Sequence, residues 1–256
     1  GPGRIAAEPR RRRLHPLPAG VQRGYRGPRH PRHHDRRRPP AGLLYVRTAP
    51  LPGTDTILPV IGQGTWYLDD APAAVDMLRL GLDLGMTHID TAEMYGSGRA
   101  EAVVGEAIAG VRQNAYIVSK VLPSNASRDG TVAACERSLR ALATDYLDLY
   151  LLHWPGSHAL EDTFGAMRNL VRDGKIRAYG VSNFDVNDLR ELEQAVGLGE
   201  IVCNQVYYSA LERTAENEVI PWCRERGIAT VAYSPFGHGN LPGPDDARTQ
   251  VLHEIA

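Results

Sequence analysis

The stretch "THIDTAEMYGSGRAE", residues 87–101, reads as the end of a short apolar strand, a polar loop and the start of a helix. The strand closes at Ile89, an acid follows at Asp90, and a phenol, Tyr95, stands five residues further on. The helical pattern continues through "GRAEAVVGEAIAG", residues 98–110, and closes on glycine, as helices tend to. One such unit decides nothing; its recurrence decides the fold.

Further strand-like runs follow at 59–65 ("PVIGQGT"), 115–119 ("AYIVS"), 146–152 ("YLDLYLL"), 176–181 ("IRAYGV"), 201–206 ("IVCNQV") and 229–234 ("ATVAYS"). Helical patterns lie between them at 71–85, 128–143, 159–174, 185–197 and 216–227. The strand ends near Thr65, Asp90, Lys120, His153, Ser182, Gln205 and Ser234 are 23 to 33 residues apart, the length of one strand–helix unit. Seven units in series predict a parallel sheet with helices outside, and their regularity favours a (β/α) barrel over an open doubly wound sheet. An open sheet holding a dinucleotide would show G-x-G-x-x-G after its first strand, but "GQGTWY" and "GSGRAE" both lack the third glycine. No G-x-x-x-x-G-K-[ST] loop is present either. A hairpin pattern with Pro52-Gly53 at its turn, "LYVRTAPLPGTDTILP" at 44–59, precedes the first unit.

The chain of 256 residues is long enough for one large domain. Its net charge of −1 hides a split. Residues 1–43 carry twelve Arg against Glu8 and Asp35, a net +10, and the remainder carries −11. The first segment is built of Arg, Pro, Gly and His, with too little apolar surface to offset ordering entropy. It is expected to be a disordered, non-functional extension, with the barrel on residues 44–256. No apolar stretch follows Arg10–Arg13 as an export signal requires, and the prolines oppose an amphipathic presequence. Clustered Arg can hold phosphate without selectivity, which keeps nucleic-acid binding as a competing function, though not the expected one. His30, His33 and His34 lack a cysteine or strand framework, and no metal site is expected. Cys135, Cys203 and Cys223 are odd in number and widely spaced, which fits a reducing cytoplasm better than a disulfide framework. No apolar run is long enough to cross a bilayer.

In a barrel, the C-terminal ends of all the strands share one mouth. Asp90, Lys120, His153, Ser182, Asn183, Gln205, Tyr233 and Ser234 all stand at or just past strand ends and therefore converge. Each alone has a dull explanation: a helix cap, a surface lysine, a core histidine, a rim aromatic. None of these explains why polar groups recur at strand ends. Chemically, a phenol is a poor acid at neutral pH, and a nearby ammonium favours its ionised form. A carboxylate keeps that ammonium charged, and an imidazole can orient a carbonyl. Asp90, Tyr95, Lys120 and His153 supply these four parts, a set suited to protonating a carbonyl oxygen as a hydride reaches its carbon.

At this point "LPVIGQGTWY", "HIDTAEMYG", "IVSK", "LDLYLLHWP", "GKIRAYGVSNF", "NQVYYS" and "AYSPFG" together resemble the aldo-keto reductase family, along nearly all of residues 45–256. Bacterial members of the methylglyoxal-reductase type share "GQGTWY", "IDTAEMY" and "TDYLDLYLLHW". The resemblance implies NADPH-dependent reduction of small aldehydes and ketones on a (β/α)8 barrel by a cytoplasmic monomer. It implies Tyr95 as proton donor, Lys120 and Asp90 as its tuning pair, and His153 as the group that positions the carbonyl. It implies Ser182, Asn183 and Gln205 on the nicotinamide carboxamide, Tyr233 stacked on the ring, and Ser234 and Phe236 at the pyrophosphate. Trp66 and Trp154, next to strand ends, are expected to wall an apolar substrate pocket. Only 22 residues follow Ser234, with "DDARTQVLHEIA" as the start of a seventh helix. The expectation is therefore a barrel lacking its last strand–helix unit and the family's late basic segment, so that NADP over NAD rests on resemblance alone. A nucleotide-binding regulatory barrel with little turnover, or an inactive fragment, is the alternative.

Overall fold

The computed structural model describes residues 46–68 and 72–237, with Asp246 and Val251. The expectation for residues 1–43 lies outside the described residues, as does the seventh helix apart from those two positions.

Strands β1 (Thr48–Pro50) and β2 (Ile57–Pro59) form the antiparallel hairpin read at 44–59. Seven further strands follow: β3 (Gln63–Gly64), β4 (His88–Asp90), β5 (Tyr116–Val121), β6 (Leu147–Leu152), β7 (Ile176–Ser182), β8 (Ile201–Tyr207) and β9 (Ala229–Tyr233). All pair in parallel, in sequence order. The six helices α1 (Pro72–Asp83), α2 (Arg99–Ala107), α3 (Arg128–Ala141), α4 (Leu160–Arg172), α5 (Val186–Val196) and α6 (Val219–Glu225) occupy the successive crossovers.

β3 and α6 are the elements most shortened relative to the sequence pattern. β3 is confined to two residues because Val60 is still engaged with the hairpin, its N–H donating to the Arg47 carbonyl at 2.8 Å. At Gly62 the backbone passes so close to β4 that a Cβ there would lie 2.8 Å from His88 Nδ1. α6 begins only at Val219 because Thr214–Glu216 closes a separate 3₁₀ turn. Pro221 then sits in the first turn of α6, where a missing N–H costs no helical hydrogen bond.

The sheet is rolled. Gln205 on β8 donates to Asp90 on β4 at 2.8 Å, although four strand spacings of about 4.8 Å separate these strands along a flat sheet. Side-chain alternation then sorts the strands into two apolar layers. Ile89, Ile117, Val121, Tyr150, Leu152, Tyr179 and Val181 face outward and pack with the helices. Val118, Leu149, Leu151, Val202 and Cys203 face inward, the last two together because the β7–β8 register shifts there, with Tyr116, Ala178, Ala229 and Val231 beside them. Leu51 of the hairpin, 5% exposed, joins the inner cluster and closes it from the N-terminal end. Cys135 on α3, Cys203 on β8 and Cys223 on α6 are all buried and unbridged.

Candidate active site

The inward register that puts Val118 in the barrel interior also puts Lys120 there, two residues on and at the C-terminal mouth. The same period places His153 beyond Leu149 and Leu151, and Tyr233 beyond Ala229 and Val231. Asp90 closes β4, and its carbonyl accepts from both the N–H and the hydroxyl of Thr65, each at 3.0 Å.

Lys120 is fully buried, and its ammonium makes three hydrogen bonds: to Asp90 Oδ1 at 2.5 Å, the Thr91 carbonyl at 3.0 Å and Tyr95 Oη at 3.2 Å. The nitrogen stands 4.9 Å from the Tyr95 ring centre. Tyr95 meets the His153 ring edge-on at 5.8 Å, and His153 in turn tilts against Trp154 at 4.7 Å. The four residues read as the reacting set thus form one chain of contacts, Asp90 to Lys120 to Tyr95 to His153, although 63 positions separate the first from the last.

The electrostatics follow from burial. Burial works against the charged form of Lys120, but Asp90 and Tyr95 outweigh it and hold the ammonium above its ordinary pKa. Burial pushes His153 down to about 4, and the neighbouring Lys120 charge adds to this, so the imidazole is neutral at pH 7. Its buried Nδ1 has no hydrogen-bond partner among the described residues. For Tyr95 the expectation from sequence needs correction. The ammonium does favour the phenolate, but burial is the larger influence, and the phenol lies above its usual range.

Other expected positions surround this set. Ser182 closes β7, 1% exposed, and accepts at its hydroxyl from Asn183 Nδ2 at 3.1 Å. Asn183 also donates to the His153 carbonyl at 3.0 Å and accepts at Oδ1 from Tyr233 Oη at 2.9 Å. Its backbone is left-handed, φ 59°. Gln205, 5% exposed, uses its amide N–H on Asp90 Oδ2. Tyr233 lies on Tyr207, with ring centres 5.6 Å apart and planes 20° apart. Ser234 has φ 49°, and Phe236 is mostly exposed. Trp66 stacks on Tyr67 at 4.5 Å, and Trp66 and Trp154 are both partly exposed at the mouth.

Three features were not read from the sequence. The Thr91 carbonyl is a ligand of the ammonium, a backbone role that residue type does not reveal. Tyr207 underlies Tyr233 because the two are register partners on β8 and β9, and aligning the strand ends would have found them. The Tyr-x-x-x-Lys pair of short-chain reductases, expected to be absent, does occur, since Tyr116 precedes Lys120 by four residues. On an extended strand that spacing spans about 13 Å, and Tyr116 instead packs edge-on against His88 at the strand starts. Among the described residues no group of His, Cys, Asp or Glu is arranged to hold a metal ion. No helix among them is long and apolar enough to cross a membrane.

Residues 60–254 match the model of the aldo/keto reductase family. Methylglyoxal reductase YeaE of Escherichia coli (strain K12) is 48% identical over 206 residues, covering 79% of this chain and 72% of that protein. Glyoxal reductase of Bacillus subtilis (strain 168) is 36% identical over 199 residues, covering 78% and 69%. Among solved structures, an aldo/keto reductase from Klebsiella pneumoniae in complex with NADP and acetate superposes with a TM-score of 0.73 at 43% identity, covering 78% of this chain and 72% of that one.

Proposed function

The chain belongs to the aldo/keto reductase family, and on that premise we propose that it reduces small aldehydes and ketones to alcohols, oxo-aldehydes such as methylglyoxal foremost, with NADPH as the hydride source. The observation that carries the reading is the contact of a fully buried, carboxylate-paired ammonium with a phenol, Lys120 Nζ to Tyr95 Oη at 3.2 Å.

The residues present suit a nicotinamide. The Tyr233 ring is backed by Tyr207 and pinned through its hydroxyl to Asn183, so it offers a fixed flat surface. The bonds already made within the protein leave over polar atoms that suit a carboxamide. The Ser182 hydroxyl accepts from Asn183 and keeps its hydrogen to donate to a carboxamide oxygen. Gln205 has its amide N–H on Asp90 and keeps an oxygen to accept from a carboxamide NH₂. Asn183 holds Tyr233 and the His153 carbonyl in place.

A reduced nicotinamide held by Tyr233, Ser182 and Gln205 would supply the hydride for the carbonyl carbon. The carbonyl oxygen takes its proton from Tyr95 Oη, and the product is the alcohol. Burial keeps Tyr95 protonated at neutral pH, so the acid is present before reaction. The adjacent ammonium stabilises the phenolate as the proton leaves, and Asp90 and the Thr91 carbonyl keep that ammonium in place. His153, neutral, can direct an N–H at the carbonyl oxygen and orient it. Trp66 and Trp154 flank the mouth and favour compact substrates.

The test is Tyr95→Phe in the full chain, which keeps the ring and removes the acid. Single-turnover oxidation of NADPH by methylglyoxal is expected to slow by roughly 10²–10⁴-fold, with NADPH affinity retained. A variant that turns over at the wild-type rate removes Tyr95 from the mechanism.

A further inference from the structure

Glu93 lies two residues before Tyr95 and points away from the site. Its side chain is 10% exposed and holds three donors. Oε1 accepts from the Leu122 N–H at 2.8 Å and from Asn125 Nδ2 at 2.9 Å, and Oε2 accepts from Arg137 Nη2 at 3.1 Å. Two of these donors belong to the loop after β5, which begins just past Lys120. Glu93 therefore ties the loop that carries Tyr95 to the loop that follows Lys120.

The backbone shows why such a tie is needed. The β4–β5 ladder runs past the strand ends, with Thr91 N–H on the Val118 carbonyl at 2.8 Å and Glu93 N–H on the Lys120 carbonyl at a stretched 3.5 Å. The next rung of a continuing parallel ladder would join the Leu122 N–H to the Glu93 carbonyl. That N–H instead meets the Glu93 carboxylate. The side chain takes over the ladder at the point where the main chain must turn inward to bring Tyr95 over Lys120. Beyond Tyr95 the chain takes three successive left-handed residues, Gly96 (φ 55°), Ser97 (φ 56°) and Gly98 (φ 89°). Glycine takes that region freely but other residues disfavour it, so the strain on this side of the loop rests at Ser97.

We propose that Glu93 is a positioning residue for the proton donor: by replacing the ladder rung it fixes Tyr95 Oη within reach of Lys120. This rests on the reading of Tyr95 as the acid. The Glu93 carboxylate touches no reacting group, so its effect passes through the placement of Tyr95 against Lys120.

Single-turnover reduction of methylglyoxal by NADPH, measured in the full chain, tests this in a double-mutant cycle. Glu93→Ala slows hydride transfer by roughly 10- to 100-fold, the scale of a misplaced reacting group, and leaves NADPH affinity unchanged. Glu93→Gln, which keeps an acceptor for Leu122 and Asn125, regains most of that rate. In a Tyr95→Phe background Glu93→Ala costs nothing further, because the group it positions is gone. A wild-type rate for Glu93→Ala, or an equal loss in both backgrounds, overturns the proposal. If Glu93→Ala fails to melt cooperatively, Asn125→Ala removes one of the three donors and is carried through the same cycle. Its loss must also vanish with Tyr95→Phe, and an additive loss overturns the proposal equally. Tyr95→Phe at the wild-type rate refutes the reading of Tyr95 itself, whatever Glu93 does.

Discussion

Lys120→Met separates what the buried ammonium does for stability from what it does for chemistry. Methionine keeps most of the side-chain length but leaves Asp90 facing an apolar group. Removing one partner of a buried ion pair typically costs about 3–5 kcal/mol, because the other charge stays behind unpaired. Asp90 is not fully stranded: its side chain is 17% exposed and Oδ2 still receives the Gln205 amide at 2.8 Å. A discounted loss of roughly 2–4 kcal/mol follows, and at about 2–4 °C per kcal/mol for a domain of this size the melting temperature falls by on the order of 10 °C. Lys120→Met with Asp90→Asn removes the lone carboxylate and recovers most of that stability. The rate is not recovered. Without the cation the Tyr95 phenolate loses its stabilising charge, and reduction stays roughly 10²–10⁴-fold below wild type in both variants. Thermal unfolding by circular dichroism and single-turnover NADPH oxidation by methylglyoxal read the two quantities in the same samples. A double variant that regains activity together with stability would refute a chemical role for the ammonium.

His153 predicts an acid limb in stability. Its pKa is about 4 in the folded chain against 6.5 ordinarily, so between these values the unfolded chain binds the extra proton. The stability it contributes is complete above pH 6.5 and is lost as pH falls towards 4, up to about 3 kcal/mol. Urea midpoints across this window should show a shallower fall for His153→Gln than for wild type, and identical slopes would refute the assignment. For specificity, kcat/KM should decline across a series of aldehydes of rising bulk, and Trp154→Ala should flatten the decline. A rising trend in the wild-type chain would contradict a pocket narrowed by Trp66 and Trp154.

The barrel was legible because its signal is repetitive. Seven strand ends recur at intervals of 23 to 33 residues with a helical run between each pair, and period-two alternation sends Lys120, His153 and Tyr233 inward together. That Asp90, Tyr95, Lys120 and His153 cluster was legible for a related reason: strand ends converge, and the motif resemblance pointed to these four as a candidate set. What stayed hidden depends on contacts between loops. Glu93 sits in a segment without periodicity, and its partners Leu122, Asn125 and Arg137 lie 29 to 44 residues away. Gln205 was read as a cofactor contact, and its bond to Asp90 was invisible because the rolling of the sheet, not any local pattern, brings β8 to β4. The direction of the Tyr95 shift was misjudged because sequence shows which charges can be near but not how much water has been removed.

The three cysteines give the chain a reporter that needs no labelling design. Each thiol is buried, and burial pushes Cys135 and Cys203 up to about 12 and raises Cys223 as well. An alkylating reagent attacks thiolate, so in the closed fold it finds almost nothing to react with. Modification then measures how often the surrounding structure opens, and the thiols are well spread: one under an outer helix in the middle of the chain, one inside the barrel wall, one beneath the last described helix. Comparing their alkylation rates, peptide by peptide, would rank the opening free energies of these three regions within a single experiment. The same arrangement means that loss of activity in the presence of iodoacetamide would report unfolding rather than chemistry at the site.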